Sequence, residues 1–99
     1  MFTKKIYEEY FRLYNFAPIL ADAILADGET LATGAVTVIK KQTDSDESGS
    51  MVSDVSVYDD TKVKYKIKAG EVGKTYIIEI KCVTTNGQKF EDWLEMRVV

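Results

Sequence analysis

The sequence predicts a mostly β protein in which short strands form a two-layer antiparallel sandwich. Apolar and polar residues alternate with a period of two in the second half of the chain, and these segments are rich in β-branched and aromatic residues. Turn signals recur about every ten residues, as in sandwich proteins. A chain of 99 residues suits one hydrophobic core. We therefore expect one domain over residues 1–99, with an arm at 1–10 and the sandwich at 11–99.

The N-terminal segment fits two structures. An aromatic stripe at helical spacing favours a short helix that ends before Pro18. The alternative is a first strand over Phe11–Phe16 that follows an exposed arm, because Tyr and Phe favour strands. We favour the strand. The helical stripe consists of Ile6, Tyr7, Tyr10, Phe11 and Tyr14.

The middle of the chain predicts two strands separated by a polar loop. Leu31–Lys41 and Met51–Tyr58 are rich in strand-forming residues, whereas Gln42–Ser50 has the composition of a solvated loop. Asp44–Gly49 begins like a calcium loop, but the twelfth position is Val55 instead of the bidentate glutamate. The segment is therefore interpreted as a solvated loop and not as a metal site.

A strictly alternating segment follows, and it predicts a half-buried strand. Its second face carries lysine at every other position. These lysines form either a cationic strip for an acidic partner surface or an ordinary solvated face or edge that prevents sheet aggregation. The apolar face is Val63, Tyr65, Ile67 and Ala69, and the other is Lys62, Lys64, Lys66 and Lys68.

The last two strands, Thr75–Thr85 and Lys89–Val99, are predicted to form a hairpin. A three-residue loop with left-handed Gly87 keeps apolar residues on one face. That register turns Asp92 inward and Trp93 outward, and a bulge near Asp92 is the alternative. It pairs Cys82 with Phe90, Ile78 with Leu94, Tyr76 with Met96 and Lys81 with Glu91.

The segment Gly70–Tyr76 refines the fold class. A glycine-rich corner before a tyrosine at the start of the penultimate strand is typical of immunoglobulin-like domains, where the hydroxyl bonds back to the main chain. A plain core position for Tyr76 is the alternative. The predicted fold is thus an antiparallel immunoglobulin-like β-sandwich with an N-terminal arm or short helix.

Composition excludes most familiar catalytic and metal chemistry. The chain has no histidine and one cysteine, so it lacks a Ser-His-Asp triad, a Cys-His pair and a cysteine-rich metal site. Glu91, Asp92 and Glu95 do not converge on a cleft along a strand, and Cys82 is expected to be buried and inert. We expect no enzyme activity, no cofactor and no metal, and synthesis in a reducing compartment.

Charge and hydropathy indicate a soluble protein without nucleic-acid or membrane partners. The net charge is −3, whereas nucleic-acid binders usually carry a basic surface. Uncharged stretches are far shorter than the roughly 20 residues of a membrane helix, and early charges break up any signal sequence.

Exposed aromatic side chains are the strongest candidates for an interface. Tyr7, Tyr10 and Trp93 are predicted contact residues, because Tyr and Trp dominate binding hot spots. The alternative is that they pack against the core of their own domain. The full set of interface candidates is Tyr7, Tyr10, Trp93, Lys62, Lys64, Lys66 and Lys68.

The order of several short motifs resembles the phage fiber-tail adaptor family. They are Tyr14-Asn15-Phe16-Ala17-Pro18-Ile19-Leu20, Asp27-Gly28-Glu29-Thr30-Leu31, Gly70-x-x-Gly73-x-x-Tyr76 and Val83-Thr84-Thr85-Asn86-Gly87. Ala21–Ala26 departs from the pattern as an apparent insertion, and the arm is unusually charged.

The resemblance implies a non-enzymatic structural module of a phage or prophage virion, in the neck or tail. It further implies other virion proteins as partners, a homo-oligomer on assembly, and synthesis in the bacterial host cytoplasm before incorporation into the virion. The alternative function is a monomeric immunoglobulin-like binding module for carbohydrate or a host surface. In that case Trp93 and nearby tyrosines form a stacking platform.

Overall fold

A computed structural model describes all residues from Met1 to Val99. It contains eight strands and two short helices. In chain order these are β1 (Phe2–Lys4), β2 (Tyr10–Asn15), α1 (Ala17–Ala21), β3 (Leu31–Lys40), β4 (Ser45–Asp46), α2 (Ser48–Met51), β5 (Val52–Tyr58), β6 (Lys62–Ile67), β7 (Thr75–Thr84) and β8 (Lys89–Val98).

The strands form two sheets, and the predicted mostly β sandwich is confirmed. One sheet has five strands in the order β1-β8-β7-β3-β4, and the other has three in the order β2-β6-β5. All neighbours are antiparallel except β1, which runs parallel to β8 and makes the larger sheet mixed. Phe2–Lys4 belongs to the segment predicted as an arm, and the prediction of an antiparallel sandwich did not include this strand.

The core lies between the sheets and draws on both. Alternate residues of β6 and β7 point into it, as period-two patterning requires. Gly34 of β3 brings the sheets unusually close, since a Cβ there would lie 2.9 Å from a methyl carbon of Val63. The buried apolar residues are Phe16, Leu20, Leu31, Val36, Val38, Met51, Val63, Tyr65, Ile67, Tyr76, Ile78, Ile80, Cys82, Met96 and Val98.

The predicted hairpin register is confirmed without a bulge. Cys82 pairs with Phe90, and Ile80 lies opposite Asp92. Gly87 has a φ of +83°, the left-handed conformation that the three-residue loop needs. The N-terminal segment was predicted as either a short helix or a first strand. The strand is confirmed, because Tyr10–Asn15 pairs with β6.

The prediction of a solvated loop over Gln42–Ser50 is wrong in part, because this segment contains β4 and most of α2. Its polar groups form hydrogen bonds with the backbone of β3. Val38 N–H donates to Ser48 Oγ at 2.8 Å, and Glu47 N–H donates to the Val38 carbonyl at 2.7 Å. Composition alone does not reveal such bonds, because the same side chains also suit solvent.

Lys4 fastens the N-terminal strand to the rest of the molecule. The residue is 1% exposed, and its Nζ donates to the carbonyl oxygens of Lys5 at 2.9 Å and Ala69 at 2.6 Å. Desolvation lowers the pKa of Lys4, and the nearby charges of Glu8 and Glu9 oppose that shift. The bond to Ala69 ties β1 to the connection between β6 and β7.

No helix of the molecule has the length and apolar character needed to cross a membrane.

Candidate assembly surfaces

The predicted lysine strip lies on the outer face of the three-stranded sheet. Lys62, Lys64 and Lys66 project from β6, which is the central strand of this sheet and not an edge. Lys68 lies beyond the end of β6, where its backbone N–H donates to the Met51 carbonyl at 2.9 Å. The structure therefore brings three of the four lysines together.

Two of these three lysines have carboxylate partners, and the middle one does not. Lys62 Nζ lies 3.3 Å from Asp59 Oδ2, and Lys66 Nζ lies 4.0 Å from Glu9 Oε1. Lys64 forms no ion pair within 4.0 Å. Its Nζ lies 4.6 Å from the centre of the Phe11 ring, a cation–π distance.

Large apolar side chains flank the lysines on the same outer face. Phe11, Leu13 and Tyr58 are 51%, 49% and 49% exposed. They flank the lysine row because Phe11 pairs with Lys66, and Leu13 with Lys64, across neighbouring strands. Large exposed apolar patches are common at the interaction surfaces of proteins, so this face is a candidate contact surface. We call Phe11, Leu13, Tyr58, Lys62, Lys64 and Lys66 the lysine face.

The opposite outer face, on the five-stranded sheet, centres on Trp93. The indole is 56% exposed, as the hairpin register predicted. Glu79 lies directly across from it on β7, and Glu91 and Glu95 are two residues away on β8. We call Ile77, Glu79, Glu91, Trp93 and Glu95 the tryptophan face.

The carboxylates of the tryptophan face differ in their partners. Glu91 lies 3.6 Å from Lys81 Nζ, and Glu95 lies 3.5 Å from Lys41 Nζ. Glu79 forms no ion pair within 4.0 Å. No tyrosine lines the shallow hollow beside the indole, which is formed by Ile77, Glu79, Glu91 and Trp93. The structure thus does not place tyrosines beside Trp93 as the predicted stacking platform requires.

The two tyrosine candidates near the N-terminus occupy different environments. Tyr7 is 94% exposed at the turn after β1. That turn closes through Glu8 N–H, which donates to the Lys5 carbonyl at 3.0 Å. Tyr10 begins β2 and packs against the core. Of the two, Tyr7 is almost fully exposed, whereas Tyr10 is half-buried.

The inward-facing Asp92 joins the two sheets at their seam. It accepts a hydrogen bond from the Tyr14 hydroxyl on β2 and, at 2.8 Å, one from the Trp93 N–H. Burial, aided by the hydrogen bond to Asp92 and its charge, raises the pKa of Tyr14 to about 12. The role of Tyr14 was missed by sequence reasoning, because a stripe of aromatic residues does not reveal a partner on another sheet.

The surface offers little for catalysis. Glu91 and Asp92 point to opposite sides of β8, and Cys82 is buried, which raises the pKa of its thiol. No group of three or more Cys, Asp and Glu side chains is arranged to hold a metal ion. The exposed apolar cluster of Phe11, Leu13 and Tyr58 was not predicted, although the two faces of β2 carry equal numbers of apolar residues, which was a usable signal.

A comparison with known protein families shows which family the chain belongs to. The profile of the podophage GP4 fiber-tail adaptor protein gp77 matches residues 15–97. The chain belongs to this fiber-tail adaptor family. Membership implies a structural role in the virion and contact with other virion proteins. No curated protein matches the chain significantly.

The family match covers the tryptophan face completely and the lysine face in part. Residues 15–97 contain Trp93, Glu79 and all three lysines of β6, whereas Phe11, Leu13 and Tyr7 precede the matched region. The matched region therefore begins at Asn15, the last residue of β2.

Proposed function

We propose that this chain is a non-enzymatic assembly module in the neck or tail of a phage or prophage virion, acting through protein–protein contacts. The match to the fiber-tail adaptor family over residues 15–97 carries the proposal. The chain also has two broad faces that carry exposed aromatic and charged side chains. Such side chains are typical of protein interfaces.

We further propose that Tyr7 and the two faces are the contact surfaces. Tyr7 projects from a turn fastened by the buried Lys4, so its ring is presented on an ordered support. Tyr10 supports that segment from the core side, and Lys68 continues the positive charge past the end of β6. The chain would be made in the reducing cytoplasm of the bacterial host, which suits its single unpaired cysteine.

The topology supports an immunoglobulin-like form of the sandwich. In such domains one sheet contains strands G, F, C and C′, and the other contains B, E and D. The orders β8-β7-β3-β4 and β2-β6-β5 correspond to these two sets. A tyrosine corner is also present, since Glu71 N–H donates to the Tyr76 hydroxyl oxygen at 2.9 Å at the start of β7.

The test of the adaptor role is the composition of purified particles. Quantitative mass spectrometry of particles from the phage or prophage that encodes the chain should find it at a fixed ratio to the tail proteins. Particles made without its gene should lack attached fibers and infect poorly. Absence of the chain from wild-type particles, or full fiber occupancy without the gene, would contradict the proposal.

A further inference from the structure

We infer that the lysine face of one copy packs on the tryptophan face of a second copy of the same chain. This inference rests on the proposed assembly role and names a partner for it. It depends on side chains of opposite charge that lie on the two opposite outer faces of the sandwich.

The charge pattern supports this pairing. At the centre of each face lies one ionic side chain without an ion pair, Lys64 on one and Glu79 on the other. Both are half-buried, so neither is as well solvated as an ordinary surface charge. The other acidic groups of the tryptophan face already pair with lysines. Electrostatic selection between copies therefore depends mainly on Lys64 and Glu79.

The apolar groups match in the same way. Phe11, Leu13 and Tyr58 are each about half exposed on the lysine face, and Trp93 is more than half exposed on the other. Aromatic side chains at the centre of a face supply most of the affinity when a partner desolvates them. Ile77 forms an apolar wall of the hollow beside Trp93 that such a side chain can fill.

The dimensions of the molecule allow a stable contact. It measures 45 × 22 × 20 Å, so a whole face has an area comparable with the roughly 800 Å² per partner of standard interfaces. Stacked sheets pack about 10 Å apart, a distance that side chains such as Trp93 and Lys64 can bridge.

The arrangement also implies a direction of growth. Because the two faces differ and lie on opposite sides, each contact leaves one face free on each terminal copy. Such a heterologous contact continues into a closed ring or an open filament. A symmetric dimer, by contrast, would use one face twice.

Charge reversal at the two unpaired groups tests the contact. Lys64→Glu and Glu79→Lys each remove no ion pair within the chain, so both variants should keep the wild-type circular dichroism spectrum. Sedimentation equilibrium should show concentration-dependent association of the wild type that weakens with salt. Each single variant should weaken association at least about tenfold, because like charges then face each other.

The double variant Lys64→Glu/Glu79→Lys is the decisive sample. It restores opposite charges between copies and should recover association, and an equimolar mixture of the single variants should also associate. Lys5→Glu makes the same charge change at an exposed residue outside both faces and should behave as wild type. A wild type that stays monomeric at all concentrations, single variants that associate normally, or a double variant without recovery would each overturn the inference. If the chain is monomeric in solution yet present in particles, the contact between copies is wrong and the adaptor role stands.

Discussion

At the scale of single residues, Asp92 shows how one side chain can serve two elements. It receives the Tyr14 hydroxyl from the opposite sheet and the backbone N–H of its neighbour Trp93. The alternation of β8 was sufficient to predict that Asp92 points inward. Its partner could not be predicted, because Tyr14 lies 78 positions earlier on a strand whose place in the sandwich depends on the whole topology.

The bond between Tyr14 and Asp92 predicts a specific dependence of stability on pH. The folded-state pKa of Tyr14 is raised to about 12, above the value near 10 expected for an unfolded chain. The unfolded state therefore loses the proton first, and the stabilisation from Tyr14 is lost as pH rises from about 10 to about 12. Tyr14→Phe should cost about 1 kcal/mol below pH 10, and the difference from wild type should shrink toward pH 12.

Urea unfolding at a series of pH values measures this difference. Tyr7→Phe is the matched control, because Tyr7 is 94% exposed and should unfold like the wild type throughout. A gap between wild type and Tyr14→Phe that stays constant up to pH 12 would rule out the assigned role of the phenol proton.

Lys4 is predicted to control the attachment of β1. Lys4→Met keeps most of the side-chain volume but removes the donors to the carbonyls of Lys5 and Ala69. We expect a loss on the order of 2 kcal/mol, since hydrogen bonds from charged groups are involved. Hydrogen exchange should show faster exchange at Val99, whose N–H donates to the Lys4 carbonyl at 2.8 Å. Lys5→Met, at an exposed residue, should change neither quantity, and unchanged exchange in Lys4→Met would refute the role.

At the scale of elements, the sequence was most informative where a strand is long and half-buried. Lys62–Ile67 alternates without exception, and the hairpin register followed from requiring apolar residues on one face. Phe2–Lys4 and Ser45–Asp46 were missed because two or three residues cannot show a period. α1 and α2, each five residues or fewer, are likewise too short for a helical pattern, so they depend on packing and local hydrogen bonds.

The close approach of β3 and β6 leads to a prediction about Gly34. A methyl group at this position would lie 2.9 Å and 3.0 Å from the two Val63 methyl carbons, so the sheets or the valine must shift. Gly34→Ala should destabilise the protein by about 1 to 3 kcal/mol, the usual cost of overpacking. In a Val63→Ala background the same change should cost much less, because the clashing methyl groups are gone. Chemical unfolding of the four members of this cycle measures the coupling, and strictly additive effects would show that the contact is not the cause.

At the scale of the whole molecule, the lysines and Trp93 were predictable as surface features, but the composition of the two faces was not. Phe11 and Tyr58 join the lysine face only because β2 and β5 flank β6. Tyr10 was predicted as a contact residue, and its position against the core depends on the register of β2. A face is a property of strand order, which local patterns do not determine.

A single core shared by both sheets predicts cooperative unfolding. Far-ultraviolet circular dichroism, which follows the strands, and near-ultraviolet circular dichroism, which follows the buried tyrosines, should give one coincident transition in urea. The slope should be about 1 to 2 kcal/mol/M for a domain of this size. Trp93 is a poor probe because it is already 56% exposed when folded. Separate transitions for the two signals would mean that the sheets fold as independent units.

The open edge of β8 affects how this chain behaves when many protein molecules are close together. β1 covers only Met96–Val98, so Lys89–Glu95 has a neighbour on one side alone. An open strand edge recruits other extended chains through its backbone donors, and the Trp93 N–H is such a donor until the Asp92 carboxylate occupies it. One backbone donor of this open edge is thereby occupied within the chain itself, which makes the edge a poorer template for an extended strand of another molecule.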